Sequence, residues 1–172
     1  MQVAKQENII IKNFSPAWFA SVMGTGALSL ACNSYSEFLP FLRTVGLVLF
    51  YFNIAWAFIL LIPWVLRWIL YPNQALSDLN HPITTQFYPT IGVGFMLIGM
   101  GMVVFLQNVI IGFVFWFAGT LMTIFFAILI PLIVFEGKHI QLDHINPAWF
   151  IPPVGLIVVP AGGSLFLSSF SG

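Results

Sequence analysis

Five long stretches of this sequence are almost free of ionisable side chains: about Pro16 to Cys32, Pro40 to Trp68, Thr84 to Leu106, Val109 to Phe135 and Ala148 to Phe170. A helix needs about 20 mostly apolar residues to cross a hydrocarbon layer roughly 30 Å thick, and each stretch comes within reach of that length. The bilayer also dictates the backbone. With no water to bond N–H and C=O groups, a spanning segment must satisfy them internally, as a helix does. A soluble core needs a polar surface, which this chain cannot build: 60% of its residues are hydrophobic and 6% charged, where soluble domains carry about 25% charged residues. The expected fold class is an all-α integral membrane protein, residues 1–172 forming a single membrane domain of about five transmembrane helices.

Lys5 and Lys12 precede the first stretch as basic residues precede a secretory signal, but the stretch is longer than a signal core and four more apolar segments follow it. It reads as the first span. Arg43 and Arg67 fall near the ends of the second, where long side chains can snorkel to the headgroups. Trp18, Trp64, Trp68, Tyr71 and Trp149 lie near span ends, as interface-anchoring aromatics do. With the N-terminus in the cytoplasm, Lys5, Lys12, Arg67 and Lys138 fall on the inside and Arg43 alone outside. The expectation is a multi-pass protein of the cell membrane, N-terminus cytoplasmic. The formal net charge is zero and no basic run exists, which excludes a nucleic-acid partner. Cys32 has no second cysteine with which to form a disulfide or bind metal.

An internal repeat organises the chain. Ser15-Pro16-Ala17-Trp18-Phe19 recurs as Asn146-Pro147-Ala148-Trp149-Phe150, with Gly24 and Gly155 the same distance on, and Pro82 falls almost midway between the two prolines. Each of Pro16, Pro82 and Pro147 is expected to open an odd-numbered helix, where its missing N–H costs nothing. The repeating unit is a helical hairpin: about 15–80, then about 81–145, with an unpaired fifth helix at about 146–170. The odd helices hold Gly24-Thr25-Gly26, Gly92-Val93-Gly94, Gly99-Met100-Gly101 and Gly162-Gly163, together with Pro89, Pro152, Pro153 and Pro160. Glycines let backbones approach or leave open space, so the odd helices are expected inside and the even ones outside.

Ser21, Thr25 and Ser29 stand four residues apart on one helical face that Asn33 continues, while Ser164 and Ser168 form a shorter stripe on the fifth helix and Thr84, Thr85 and Thr90 open the third. The candidate path-lining residues are Ser21, Gly24, Thr25, Gly26, Ser29, Thr90, Gly92, Gly94, Gly155 and Ser164. Widening Gly24 or Gly94 is expected to obstruct such a path more than widening Gly112 on the fourth helix. Hydroxyls beside helix N-termini can hold a passing anion weakly, whereas pumps that use buried carboxylates need ionisable groups at depth, which these spans lack. Glu136 and His139, with Asp143 and His144, have spacings open to metal binding, but Gly137 interrupts them and a solvated loop is expected. No nucleophile elbow, phosphate loop or dinucleotide pattern occurs. No cofactor, no metal and no enzymatic activity are expected.

Phe14-Ser15-Pro16-Ala17-Trp18-Phe19, followed by Met23-Gly24-Thr25-Gly26, resembles the opening of the tellurite-resistance/dicarboxylate transporter family, which includes malate and sulfite exporters and plant slow anion channels. His81-Pro82 and the segment Asn146-Pro147-Ala148-Trp149-Phe150-Ile151-Pro152-Pro153-Val154-Gly155 resemble it too. The resemblance implies ten helices in five hairpins, the inner helices ringing an anion pore. It therefore implies transport of small anions, such as four-carbon dicarboxylates, sulfite or tellurite-related oxyanions, with lipid as the other partner. This chain carries only the first half of that plan, and the gating phenylalanine of a late inner helix has no counterpart in it. A second membrane chain, or another copy of this one, is the expected partner. The alternative is a half-length membrane subunit without transport activity of its own.

Orientation is testable on a Cys32-free background. Lys138→Cys should resist, and Glu37→Cys should accept, an impermeant thiol reagent added outside intact cells; outside labelling at position 138 overturns the orientation.

Overall fold

The computed structural model describes residues 9–79, 81, 83–136 and 147–171, and every regular element among them is a helix. In chain order these are α1 (Ile9–Lys12), α2 (Phe19–Ser34), α3 (Phe41–Leu70), α4 (Pro72–Leu79), α5 (Pro89–Leu106), α6 (Val109–Glu136) and α7 (Ile151–Ser171). The five expected spans are present as α2, α3, α5, α6 and α7, and the chain is an integral membrane protein. Four helical stretches, Phe41–Leu70, Thr84–Leu106, Val109–Ile133 and Pro147–Ser169, are long and apolar enough to cross a bilayer. The first expected span is shorter. At 16 residues, α2 extends only about 24 Å; the 3-10 turn Pro16–Trp18 before it brings the pair to about 30 Å. Lys5, Pro82 and the loop with His139, Asp143 and His144 lie outside the described residues.

Each odd span is entered through a 3-10 turn: Pro16–Trp18, Thr84–Phe87 and Pro147–Phe150. The first of these turns packs on the second, and the second on the third, so the three helix entries gather at one end of the molecule. Ser15 caps the first, its hydroxyl accepting from Ala17 N at 3.2 Å. At α5 the residue in the first turn of the helix is Pro89. The short helix α4 was not foreseen, because eight residues with mixed polarity give no spanning signal.

The fold is organised around α5. Of its apolar stretch 61% is buried within the protein, against 28%, 28% and 22% for the spans containing α3, α6 and α7. The turn to α6 is two residues long: Gln107, at φ 54°, takes the left-handed conformation, and Asn108 Oδ1 caps α6 by accepting from Ile111 N at 3.0 Å. Along the antiparallel pair, glycines meet glycines. A methyl added at Gly99 would lie 2.5 Å from Gly112 O, and one at Gly112 would lie 2.7 Å from Gly99 O. Seven residues away the contact repeats: a methyl at Gly92 would lie 2.7 Å from Gly119 O, and one at Gly119 would strike Gly92 O. Backbones this close exchange Cα–H···O contacts worth about 0.5–1 kcal/mol each. The glycines on α5 therefore have complements on α6, an even helix.

Arg67 does not snorkel. It is buried at the end of α3, where its guanidinium donates to Phe14 O and forms a two-pronged ion pair with Asp78 of α4, Nη2 to Oδ1 at 3.1 Å and Nη1 to Oδ2. The reason is supply: Asp78 and the Phe14 carbonyl offer closer partners than a headgroup, so one charged group is held inside a spanning helix. Removing one side of such a pair costs about 3–5 kcal/mol.

This geometry makes Gly112 a packing position, where an added side chain meets the Gly99 carbonyl and Val103. Gly112→Ala should destabilise the protein by about 1–3 kcal/mol, read as a lower melting temperature in detergent, and Gly112→Leu should reduce yield further. Wild-type melting of Gly112→Ala would refute the glycine-pair contact.

Candidate functional site

One face of α5 stays free of α6. Val93, Leu97, Met100 and Val104 recur at helical spacing and form the floor of a groove whose walls are α2 and α7. Both walls pack on α5, and the three helices run in the same direction from their clustered entries. The groove has two parts. Nearer the helix entries lies an apolar cleft of about 450 Å³, walled by Met23 and Ala27 on one side and by Ile151, Val154, Gly155 and Val158 on the other. Toward the far helix ends lies a cleft of about 410 Å³ that carries Asn33 and Ser34 from α2 and Ser164 and Ser168 from α7. Among the described residues, no ionisable side chain lines either cleft. The groove therefore offers a neutral polar mouth leading to an apolar neck.

The ten residues singled out from the sequence fall in three settings. Ser164 lies in the polar mouth, its hydroxyl donating to Ala161 O at 2.9 Å. Gly24 is exposed on α2 with nothing within 4 Å of an added methyl, and Thr25 beside it is half-buried. The rest lie at helix contacts. Ser21 donates to Trp18 O at 2.6 Å and accepts from Trp56 Nε1 of α3 at 2.8 Å. Ser29 is buried and donates to Gly46 O of α3 at 2.7 Å. Gly26 faces Asn53 Nδ2 and Leu97, at 2.9 and 3.0 Å from an added methyl, and Gly94 meets Val22 Cγ1 at 3.0 Å. Gly92 packs on Gly119 and Thr123, and Gly155, in the wall of the apolar cleft, rests between Thr123 and Val93, each 3.1 Å from an added methyl. Thr90 is fully buried and donates to Phe87 O at 2.6 Å.

Ser21 and Ser29 of the stripe thus bond toward α3, while the groove face of α2 is Met23, Ala27, Leu30 and Ser34. Asn33 and Ser34 were not among the ten. Their signal was the neighbouring α7 pair Ser164 and Ser168, which marks the same end of the bundle, but nothing in one sequence says which helices share a groove. Trp116 was also missed: its indole packs against Gly162 of α7, which has no side chain to obstruct it.

Residues 13–172 match the family model described as voltage-dependent anion channel. The chain belongs to the voltage-dependent anion channel family. This is a family of anion channels and transporters, as the opening motif implied. An uncharacterized transporter of Methanocaldococcus jannaschii is 48% identical over 163 residues, covering 95% of this chain and 47% of the relative. A sulfite efflux pump of Trichophyton rubrum is 26% identical over 168 residues, covering 94% of this chain and 44% of the pump. A Schizosaccharomyces pombe protein named for malic acid transport is 30% identical over 80 residues, 46% of this chain and 19% of that protein. The chain spans about half the length of the curated relatives it matches.

For this member of the voltage-dependent anion channel family, the glycines divide into those that pack and one that faces open space. Gly24→Leu should leave the melting temperature unchanged, because an added side chain there meets open space. Gly92→Leu should fail at folding, by about 1–3 kcal/mol or more. A Gly24→Leu protein that melts early, or a Gly92→Leu protein that melts like wild type, contradicts this division.

Proposed function

We propose that this chain forms one side of a membrane path for small anions, with sulfite and malate-like dicarboxylates as the substrate class. The observation that carries the reading is the groove of α2, α5 and α7, which joins a neutral polar mouth to an apolar neck without an ionised lining group among the described residues. An anion crossing a bilayer must exchange water for hydrogen-bond donors, and must not be held so tightly that it stays. Fixed buried cations would bind it too well; dipolar groups suit passage. The names of two relatives, a sulfite efflux pump and a malic acid transport protein, supply the substrate class.

The groove is walled by α2 and α7 without extensive packing between them, so its open side needs cover. Polar groups facing hydrocarbon are costly. A second membrane chain, or a second copy of this one, is the cover we assign. The site of action is the cell membrane, with the N-terminus cytoplasmic and the polar mouth on the opposite side. The same open groove favours a second reading, a half-length subunit that transports only with its partner.

Flux of sulfite and of malate into proteoliposomes, together with particle mass in mild detergent, separates these readings. Flux above empty liposomes from particles of two or more chains is expected. A monomer that passes anions overturns the need for a partner, and a stable multimer that passes neither anion overturns the path formed by this chain alone.

A further inference from the structure

Four polar side chains line the mouth of the groove, and they are not equivalent. Ser34 donates its hydroxyl hydrogen to Leu30 O at 3.2 Å, Ser164 to Ala161 O at 2.9 Å and Ser168 to Leu165 O at 2.8 Å. Each O–H is thereby turned back onto its own helix. What a serine has left to offer a guest is lone pairs, which do not attract an anion. The remaining lining groups, Leu30, Met100, Val104, Ala161 and Leu165, are apolar.

Asn33 stands apart. Its backbone is held firmly, the carbonyl accepting from Ser36 N at 3.1 Å and from Ser36 Oγ at 2.6 Å. Its carboxamide, by contrast, makes no hydrogen bond among the described residues, is half-buried, and lines the mouth. A carboxamide carries two N–H donors, and with no partner to fix the group either end can turn toward a guest. We propose that Asn33 is the donor that receives the anion at the mouth of the path, and that it is a specificity-determining residue for oxyanions. The inference rests on the reading of the groove as an anion path, and it adds the group that does the recognising. A neutral donor in a cleft without a cation gives a weak station, which fits passage better than storage.

The test uses the full chain as wild type, Asn33→Asp, Asn33→Leu and Asn33→Gln, with radiolabelled sulfite as the probe. Equilibrium binding in detergent and flux in proteoliposomes are both measured. Asparagine and aspartate have nearly the same shape, but aspartate has acceptors and a negative charge in place of donors. Asn33→Asp and Asn33→Leu should weaken binding and flux by about tenfold to a hundredfold, the effect of losing a hydrogen bond to a charged group. Asn33→Gln, which keeps the donors, should recover most of both. Melting temperatures should match wild type in all three, because this side chain bonds nothing among the described residues. Wild-type binding and flux in Asn33→Asp overturn the role of Asn33 and leave the path intact, whereas a wild-type chain that neither binds nor passes sulfite overturns both. If Asn33→Asp melts early, the other pair decides: loss in Leu with recovery in Gln supports the role, and equal loss in both refutes it.

Discussion

The approach of α5 to α6 governs the rest of this structure. Two reciprocal glycine contacts, Gly92 with Gly119 and Gly99 with Gly112, bring the two backbones within touching distance at two points one heptad apart. In lipid there is no hydrophobic force to press helices together, because hydrocarbon tails are as apolar as leucine. Close backbone packing must supply the attraction. It fixes one face of α5 against α6 and so decides which face remains for α2 and α7, with Gly94 receiving Val22 and Gly162 receiving the Trp116 ring.

Polar groups are treated differently on the two sides of α5. Away from the groove several are held within the protein: Ser29 bonds the α3 backbone, and Arg67 is held by Asp78 and the Phe14 carbonyl. Others are buried without a hydrogen-bond partner: both polar atoms of the Asn53 carboxamide, which is pressed against Gly26, the hydroxyls of Thr85 and Thr123, and the indole N–H groups of Trp64, Trp116 and Trp149. Inside the groove, the serines are bonded to their own helices and Asn33 is not. The groove thus keeps a donor where a guest can reach it.

The spans were legible because hydrophobic runs need no partner to be recognised; their bounds, and the polar turn at Gln107-Asn108, came from the sequence nearly unchanged. The repeat at Pro16 and Pro147 marked two of the three helix entries. What each glycine touches was not legible. Gly24, Gly26, Gly92 and Gly94 look alike in sequence, yet one faces open space and three meet neighbouring helices, because the outcome depends on which residue of another helix lies opposite. The hydroxyl stripe on α2 misled for a related reason: a serine at membrane depth seeks the nearest carbonyl or indole, and α3 supplied both. Arg67 was read as a headgroup anchor because Asp78, eleven residues on, belongs to a helix with no strong sequence signal.

The two-residue link at Gln107-Asn108 and the glycine contacts beyond it have a mechanical consequence. Helices that touch backbone to backbone cannot slide by a fraction of a turn, since any shift drives a Cα into a carbonyl; α5 and α6 therefore move as one beam. A beam of this kind makes a fixed reference. Any change in the width of the groove has to come from α2 or α7 swinging against it, and α2, the shortest of the five long helices and tied to α3 by the Ser29 bond, carries α3 with it when it does.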